Sequence, residues 1–195
     1  MGNTKEEILT VALHLFARDG YEAVSVSRIA GELGMTKGAL YRHYQNKRDI
    51  FEHIVKRMEQ GDSEQAEKNN VPEEEMEKNP EKYQETTMED FLEYSKSMFK
   101  YWTEDDFASS FRKMLTLEQF RNEEMQGLYQ QYLASGPVGY VKDLFQSMDI
   151  ADADYKAVRF YAVMYLYYSI YDGAKEKEKV TKELETALNE MIREF

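Results

Sequence analysis

Between Ser25 and Phe51 the chain reads SVSRIAGELGMTKGALYRHYQNKRDIF, and the apolar spacing of this stretch constrains the fold more than any other feature. Ile29, Ala30 and Leu33 recur at helical spacing behind Ser25, a residue type suited to capping a helix start. The helix predicted over Val26–Leu33 is broken by Gly34. Thr36 can cap a second short helix, KGALYRHY, with Leu40 and Tyr44 four apart on its inward face. Asn46 can cap a longer helix from Lys47, with Ile50, Phe51, Ile54, Val55 and Met58 inward.

Helical signals dominate the rest of the chain. No run of alternating β-branched residues occurs, Asn-Gly is absent, and neither Asp-Gly pair (19–20, 172–173) joins two such runs as a hairpin turn. Ahead of the opening stretch, Ile8, Ala12, Leu15 and Phe16 share one face of a helix that Thr4 can cap. Gly20 can end that helix, with Tyr21 folding back as its apolar partner. Further helices are expected from about Met88, then at about 105–115, 117–134, 138–148, 153–173 and 177–194, with SGPVG (135–139) as a break. Residues 60–85 carry few large apolar side chains and many acids, and read as the frayed end of the fourth helix, then an acidic, mobile linker with one turn started by Pro72. The fold class is therefore all-α.

Composition narrows the function. The chain has 195 residues, no cysteine and three scattered histidines, so neither a disulfide framework nor a transition-metal site is expected. No Gly-x-Ser-x-Gly or phosphate-loop motif appears, so no catalytic residue, enzyme activity or cofactor is assigned. The longest uncharged apolar run, Phe160–Tyr171, is too short to span a bilayer, and the amino terminus lacks a signal-peptide pattern; a cytoplasmic protein is expected. The net charge is −12, but it is uneven. Residues 1–57 hold nine Lys and Arg against seven Asp and Glu, while the remainder carries −14. The repulsion towards nucleic acid thus sits in the second part of the chain.

Two short helices joined by a tight glycine-containing turn are the sequence form of a helix-turn-helix, whose second helix enters the major groove of DNA. Here its first turn is TKGA: Gly38 and Ala39 leave no bulk, and Lys37 can reach a guanine edge or a phosphate. The stretch resembles the amino-terminal DNA-binding domain of the TetR family of bacterial transcriptional regulators. The resemblance rests on Ser25, Ile29-Ala30, Gly34, Met35-Thr36, Gly38, Leu40-Tyr41, His43-Tyr44, Lys47 and Ile50, and covers residues 5–58. It implies a three-helix helix-turn-helix domain at 1–46 and a helical ligand-binding and dimerisation domain at 47–195. It also implies that Ser25, Ser27, Thr36, Lys37, Gly38, Tyr41, His43 and Lys47 face DNA. Lys37 and Gly38 would read bases, and Tyr41, His43 and Lys47 would clamp phosphates.

The second part of the chain is rich in aromatics and methionines, most of which simple core packing would explain. By the same resemblance, Tyr94, Met98, Trp102, Phe107, Phe111, Met114, Tyr129 and Tyr132 would line a cavity for a small-molecule effector of unknown identity. The segment Val158–Tyr171 is apolar or tyrosine nearly all round, so a helix there must be covered on every side. With a stripe on the last helix, it implies a homodimer through Tyr161, Tyr165, Tyr168, Leu184, Leu188 and Met191. The expected function is a regulator, most simply a repressor, that leaves a palindromic double-stranded DNA operator when an apolar or aromatic effector binds. The alternative is a DNA-localised interaction protein of the same fold with no small-molecule effector.

Overall fold

The structure is a computed structural model and describes residues 4–195. Among these residues there are eleven helices and no strand. They form two compact units, one of residues up to 61 together with 106–129, the other of 62–105 together with 130–195. The chain therefore does not divide at 46/47, as the sequence suggested. Helix α4 (Lys47–Lys68) starts in the first unit and ends in the second, and the chain returns to the first unit before leaving it again.

The first unit contains α1 (Thr4–Asp19), α2 (Val26–Glu32), α3 (Lys37–Leu40), the start of α4, α7 (Asp106–Glu118) and most of α8 (Glu123–Leu133). Thr4, expected as a cap, is the first helical residue; whatever precedes it lies outside the described residues. Gly20 ends α1 at φ +90°, its N–H donating to the Phe16 carbonyl at 2.9 Å. Tyr21 then folds back, its ring 5.0 Å from Phe16 and 5.3 Å from Phe51. Ile8, Ala12, Leu13, Phe16, Ile29, Leu40, Ile50, Phe51 and Ile54 form the core. Helix α7 packs along α1. His14 pairs with Asp106 across these two helices at 2.8 Å, and Arg57 lies 3.8 Å over the Phe107 ring while paired with Glu6.

The second unit holds the end of α4, α5 (Pro80–Glu85), α6 (Met88–Glu104), the end of α8, α9 (Ser135–Ser147), α10 (Ala153–Gly173) and α11 (Lys177–Arg193). Its core is largely aromatic: Phe91 meets Phe160 at 4.8 Å and Phe145 at 5.3 Å, and Phe99 stacks on Tyr168 at 5.5 Å. Such pairs add about 0.5–1.5 kcal/mol each beyond the area they bury. The Tyr161 hydroxyl donates to the Leu133 carbonyl at 3.0 Å, which lets a polar tip enter this core. Among the described residues no helix is long and apolar enough to cross a membrane.

Two expectations are corrected here. The segment 60–85 is not a mobile linker. Helix α4 continues through it to Lys68 and ends where Asn70 takes the left-handed conformation, φ 57°. The Val71 N–H then donates back to the Ala66 carbonyl at 3.1 Å, and both side chains are buried. Tyr83 on α5 is also buried, so three apolar anchors suffice to dock an otherwise acidic stretch. Nor is SGPVG a break. Its residues form the first turn of α9, where Pro137 needs no N–H partner, and the chain reverses at Ala134 instead.

That reversal is tight enough to test. A Cβ on Gly136 would lie 2.0 Å from the Gln131 carbonyl oxygen, whereas one on Gly139 would meet nothing within 4 Å. Gly136→Ala is expected to destabilise the protein by about 1–3 kcal/mol, as overpacking does. Gly139→Ala should stabilise it by about 0.5–1 kcal/mol by removing a helical glycine. Urea denaturation of the two variants beside the parent protein checks both signs.

Candidate nucleic-acid interface

The helix-turn-helix is built by caps at each end of its short helices. The Ser25 hydroxyl accepts from the Arg28 N–H at 3.2 Å and starts α2. Gly34, at φ +65°, ends it, and the Met35 N–H donates to the Ala30 carbonyl at 2.9 Å. Thr36 accepts from the Ala39 N–H at 3.2 Å and starts α3. Helix α3 is shorter than the spacing predicted. Its regular part ends at Leu40, and Tyr41–His43 form a tightened turn in which the His43 N–H reaches the Leu40 carbonyl at 2.9 Å. Asn46 caps α4 through the Asp49 N–H at 2.9 Å.

These caps set which side chains face outward. Val26, Ile29, Ala30, Leu40 and Tyr44 point into the core. Tyr44 is fixed by its hydroxyl, which donates to the Lys5 carbonyl at 3.2 Å; burial first, then Glu6 and Asp49, raise its pKa to about 12, so the donor proton is held. Ser25, Ser27, Thr36, Lys37, Gly38 and Tyr41 are exposed, and His43 is half-buried. Nothing lies within 4 Å of where a Gly38 Cβ would be. The Lys37 ammonium sits 5.5 Å over the Tyr41 ring, so the two form one outward pair.

Lys47 is placed differently from the rest. Its ammonium donates to the Tyr21 carbonyl at 2.9 Å, lies 4.2 Å over the Tyr21 ring and is 3.6 Å from the Glu22 carboxylate. It therefore has a structural task, pinning the turn after α1 to the start of α4. Tyr21 is held from the other side as well, its N–H donating at 3.1 Å to Glu118, a fully buried carboxylate on α7. Arg121 donates to the same oxygen at 2.8 Å. Sequence reasoning passed over Glu118 because an isolated acid in a helix carries no signature. It also passed over Arg28 and Arg42, exposed cations beside the expected DNA-facing residues. Arg28 pairs with Asp19 at 2.8 Å.

The eight expected effector residues are split between the units. Phe107, Phe111, Met114 and Tyr129 are buried in the first; Tyr94, Met98, Trp102 and Tyr132 belong to the second, where Trp102 and Tyr132 meet at 6.1 Å. Tyr94 contacts Tyr140 at 5.8 Å, and Tyr140 contacts Tyr83 at 6.1 Å, two partners the periodicity did not single out. Burial chiefly, then Asp62, pushes the Tyr94 pKa well up. A surface groove of about 1040 Å³ lies along α11, lined by Tyr167, Lys175, Lys179, Lys182, Glu183 and Glu190 among others, and by none of the eight.

The single chain separates the expected dimer residues by burial. Leu184 and Leu188 are fully buried, and Tyr161 and Tyr168 nearly so, inside the chain's own core. Met191 is half-buried and Tyr165 is 42% exposed. The outward face of α10 instead carries Tyr155, Val158, Tyr165, Leu166 and Ile170, all exposed, at helical spacing.

Residues 8–54, the span of this capped helical module, match the family described as bacterial regulatory proteins, tetR family. This stretch, about a quarter of the chain, is therefore similar to the DNA-binding module of that family. The transcriptional regulator AcrR of Shigella flexneri is 43% identical over 51 residues, 26% of this chain and 24% of that protein. The matched stretch thus spans about a quarter of the length of the curated relatives it matches. Over nearly the whole chain the fold is that of solved TetR-family regulators. A transcriptional regulator from Aquifex aeolicus is similar at a TM-score of 0.72 and 17% identity, covering 96% of this chain and 98% of that one. The complex of SmeT with triclosan is similar at 0.67 and 18% identity, over 97% and 90%. SmeT is the repressor of a Stenotrophomonas maltophilia multidrug efflux pump.

The two helix-start residues of this TetR-family module can be separated by substitution. Ser25→Ala removes a cap and should lower stability by about 1 kcal/mol. Ser27→Ala, on the exposed face, should leave thermal unfolding within about 0.5 kcal/mol of the parent. Calorimetry on both variants without DNA checks the contrast.

Proposed function

We propose that the protein is a homodimeric transcriptional regulator that binds a palindromic DNA site and releases it when a small apolar or aromatic molecule binds the helical part of the chain. The observation that carries the DNA reading is the exposed first turn of α3: a capped Thr36, an outward Lys37 and an unobstructed Gly38, on a module of net positive charge. A backbone with no side chain in the way can approach a base edge closely, and the lysine can donate to guanine. Tyr41, His43 and Lys47 then serve phosphates.

Dimerisation is supported by the two faces of α10. Phe160, Tyr161, Met164 and Tyr168 cover one face, and the stripe from Tyr155 to Ile170 on the other is suited to a second copy of the same helix. A two-fold pair would present two recognition helices to successive major grooves. An effector acts only if it binds the two conformations of such a dimer unequally. Trp102 and Tyr132, with Tyr94 and Met98 on the same unit, are the residues proposed to meet it. The triclosan complex of SmeT, a protein of the same fold, supports a small organic ligand.

Selection from random duplex DNA tests the reading directly. An inverted repeat should emerge; no enrichment would sink it. Lys37→Ala should relax preference at one position of each half-site by about 1–3 kcal/mol, and a uniform loss at all positions would make Lys37 a phosphate contact. Leu166→Glu should yield monomers by sedimentation, since the stripe is exposed in one chain. Leu184→Ala should instead cost about 2–5 kcal/mol of folding stability, as truncating a buried leucine does. Specific DNA binding that no compound in a panel of apolar ligands alters would favour the interaction-protein reading.

A further inference from the structure

Arg48, the residue after Lys47, belongs to the same neighbourhood as the expected phosphate contacts. Its guanidinium carries two carboxylates. Glu52, one turn along the same helix, is 2.8 Å away and moves with it. Glu124, in the first turn of α8, is 2.5 Å away and reaches Arg48 from a different helix. Both side chains of this second pair are about half exposed, at 51% and 45%. Arg48 and Glu124 also bear on Tyr21, the residue that holds the Lys47 ammonium. Burial raises the Tyr21 pKa, Arg48 lowers it, and Glu22, Glu124 and Glu52 raise it. Tyr21, Lys47, Arg48 and Glu124 are thus one patch within the first unit.

The chemistry of the pair is that of a charge with a stand-in partner. A guanidinium prefers planar, two-point acceptors, and both carboxylate and phosphate supply them. An exposed carboxylate on another helix can be exchanged at small cost, because such a pair is worth little in water. We infer that Arg48 is a DNA phosphate contact and that Glu124 is its internal competitor, occupying the guanidinium until a phosphate displaces it. The inference rests on the proposed DNA binding. It adds to that reading that the first turn of α8, not only the helix-turn-helix, sets the affinity for duplex DNA. Lys47, by contrast, is tied to a backbone carbonyl inside the module, so its position is less open to exchange.

The test uses the full chain and a duplex of random sequence, since phosphate contacts are independent of base sequence. Affinity is measured from about 50 to 200 mM salt, a range over which the slope of log K reports phosphate contacts at roughly 0.9 each on B-DNA. Arg48→Ala should lower the slope by that amount for each phosphate no longer neutralised, and Arg48→Lys should restore most of it. Glu124→Gln should raise affinity about two- to fivefold at low salt, the range of an exposed ion pair. In the Arg48→Ala background Glu124→Gln should change nothing. An unchanged slope for Arg48→Ala overturns the phosphate contact. An equal gain from Glu124→Gln with and without Arg48 overturns the competition and leaves only general repulsion between Glu124 and DNA. Thermal unfolding within a few degrees of the parent establishes that each of these variants folds. A parent chain that binds no duplex even at the lowest salt would instead overturn the DNA reading on which the inference stands.

Discussion

The turn at Gly20–Tyr21 is the contact on which the first unit depends. Only a residue tolerant of φ +90° can end α1 there, and the peptide that follows is then held from two sides. Glu118 accepts from the Tyr21 N–H, and Lys47 donates to the Tyr21 carbonyl. These groups come from α7 and α4, far apart in the chain. One residue's backbone therefore locks the start of α4, and through it the frame in which α2 and α3 are displayed. Glu118 stays in so buried a position because two donors share its oxygen, the Tyr21 amide and the Arg121 guanidinium.

The same module is the locally basic part of an acidic chain. Several cations of that module carry carboxylate partners. Arg28 faces Asp19, Lys47 faces Glu22, and Arg48 faces Glu52 and Glu124. Each pair is at least partly exposed, so each is weak and screened by salt. Pairing of this kind screens these cations locally and leaves the net charge of the module unchanged.

Helix α10 carries two apolar faces. Its inward residues interlock with Phe91, Phe99, Phe145 and Leu133, while its outward residues remain uncovered in the single chain. The sequence suggests a helix that is apolar on every side, and in the single chain one side is covered and the other exposed. Which tyrosines take the outer face is another matter, because tyrosines look alike in sequence whichever way they point. Tyr161 and Tyr168 face inward, each buried to within a tenth of its surface.

What the sequence determined by itself is what local chemistry controls. Caps at Ser25, Thr36 and Asn46, the glycine stops at 20 and 34, and the apolar spacing between them act within a few residues, so the helix-turn-helix and the all-α class were legible directly. Only the tertiary structure decided the rest. Val71 and Tyr83 dock an acidic segment because distant helices offer them a buried surface, which no local pattern announces. The chain's division into units, α7 joining the module from beyond residue 100, and the pairing of Arg48 with Glu124 likewise depend on contacts between residues far apart in sequence. Those contacts are set by which surfaces meet when the helices pack, and helical periodicity specifies a face without naming its partner.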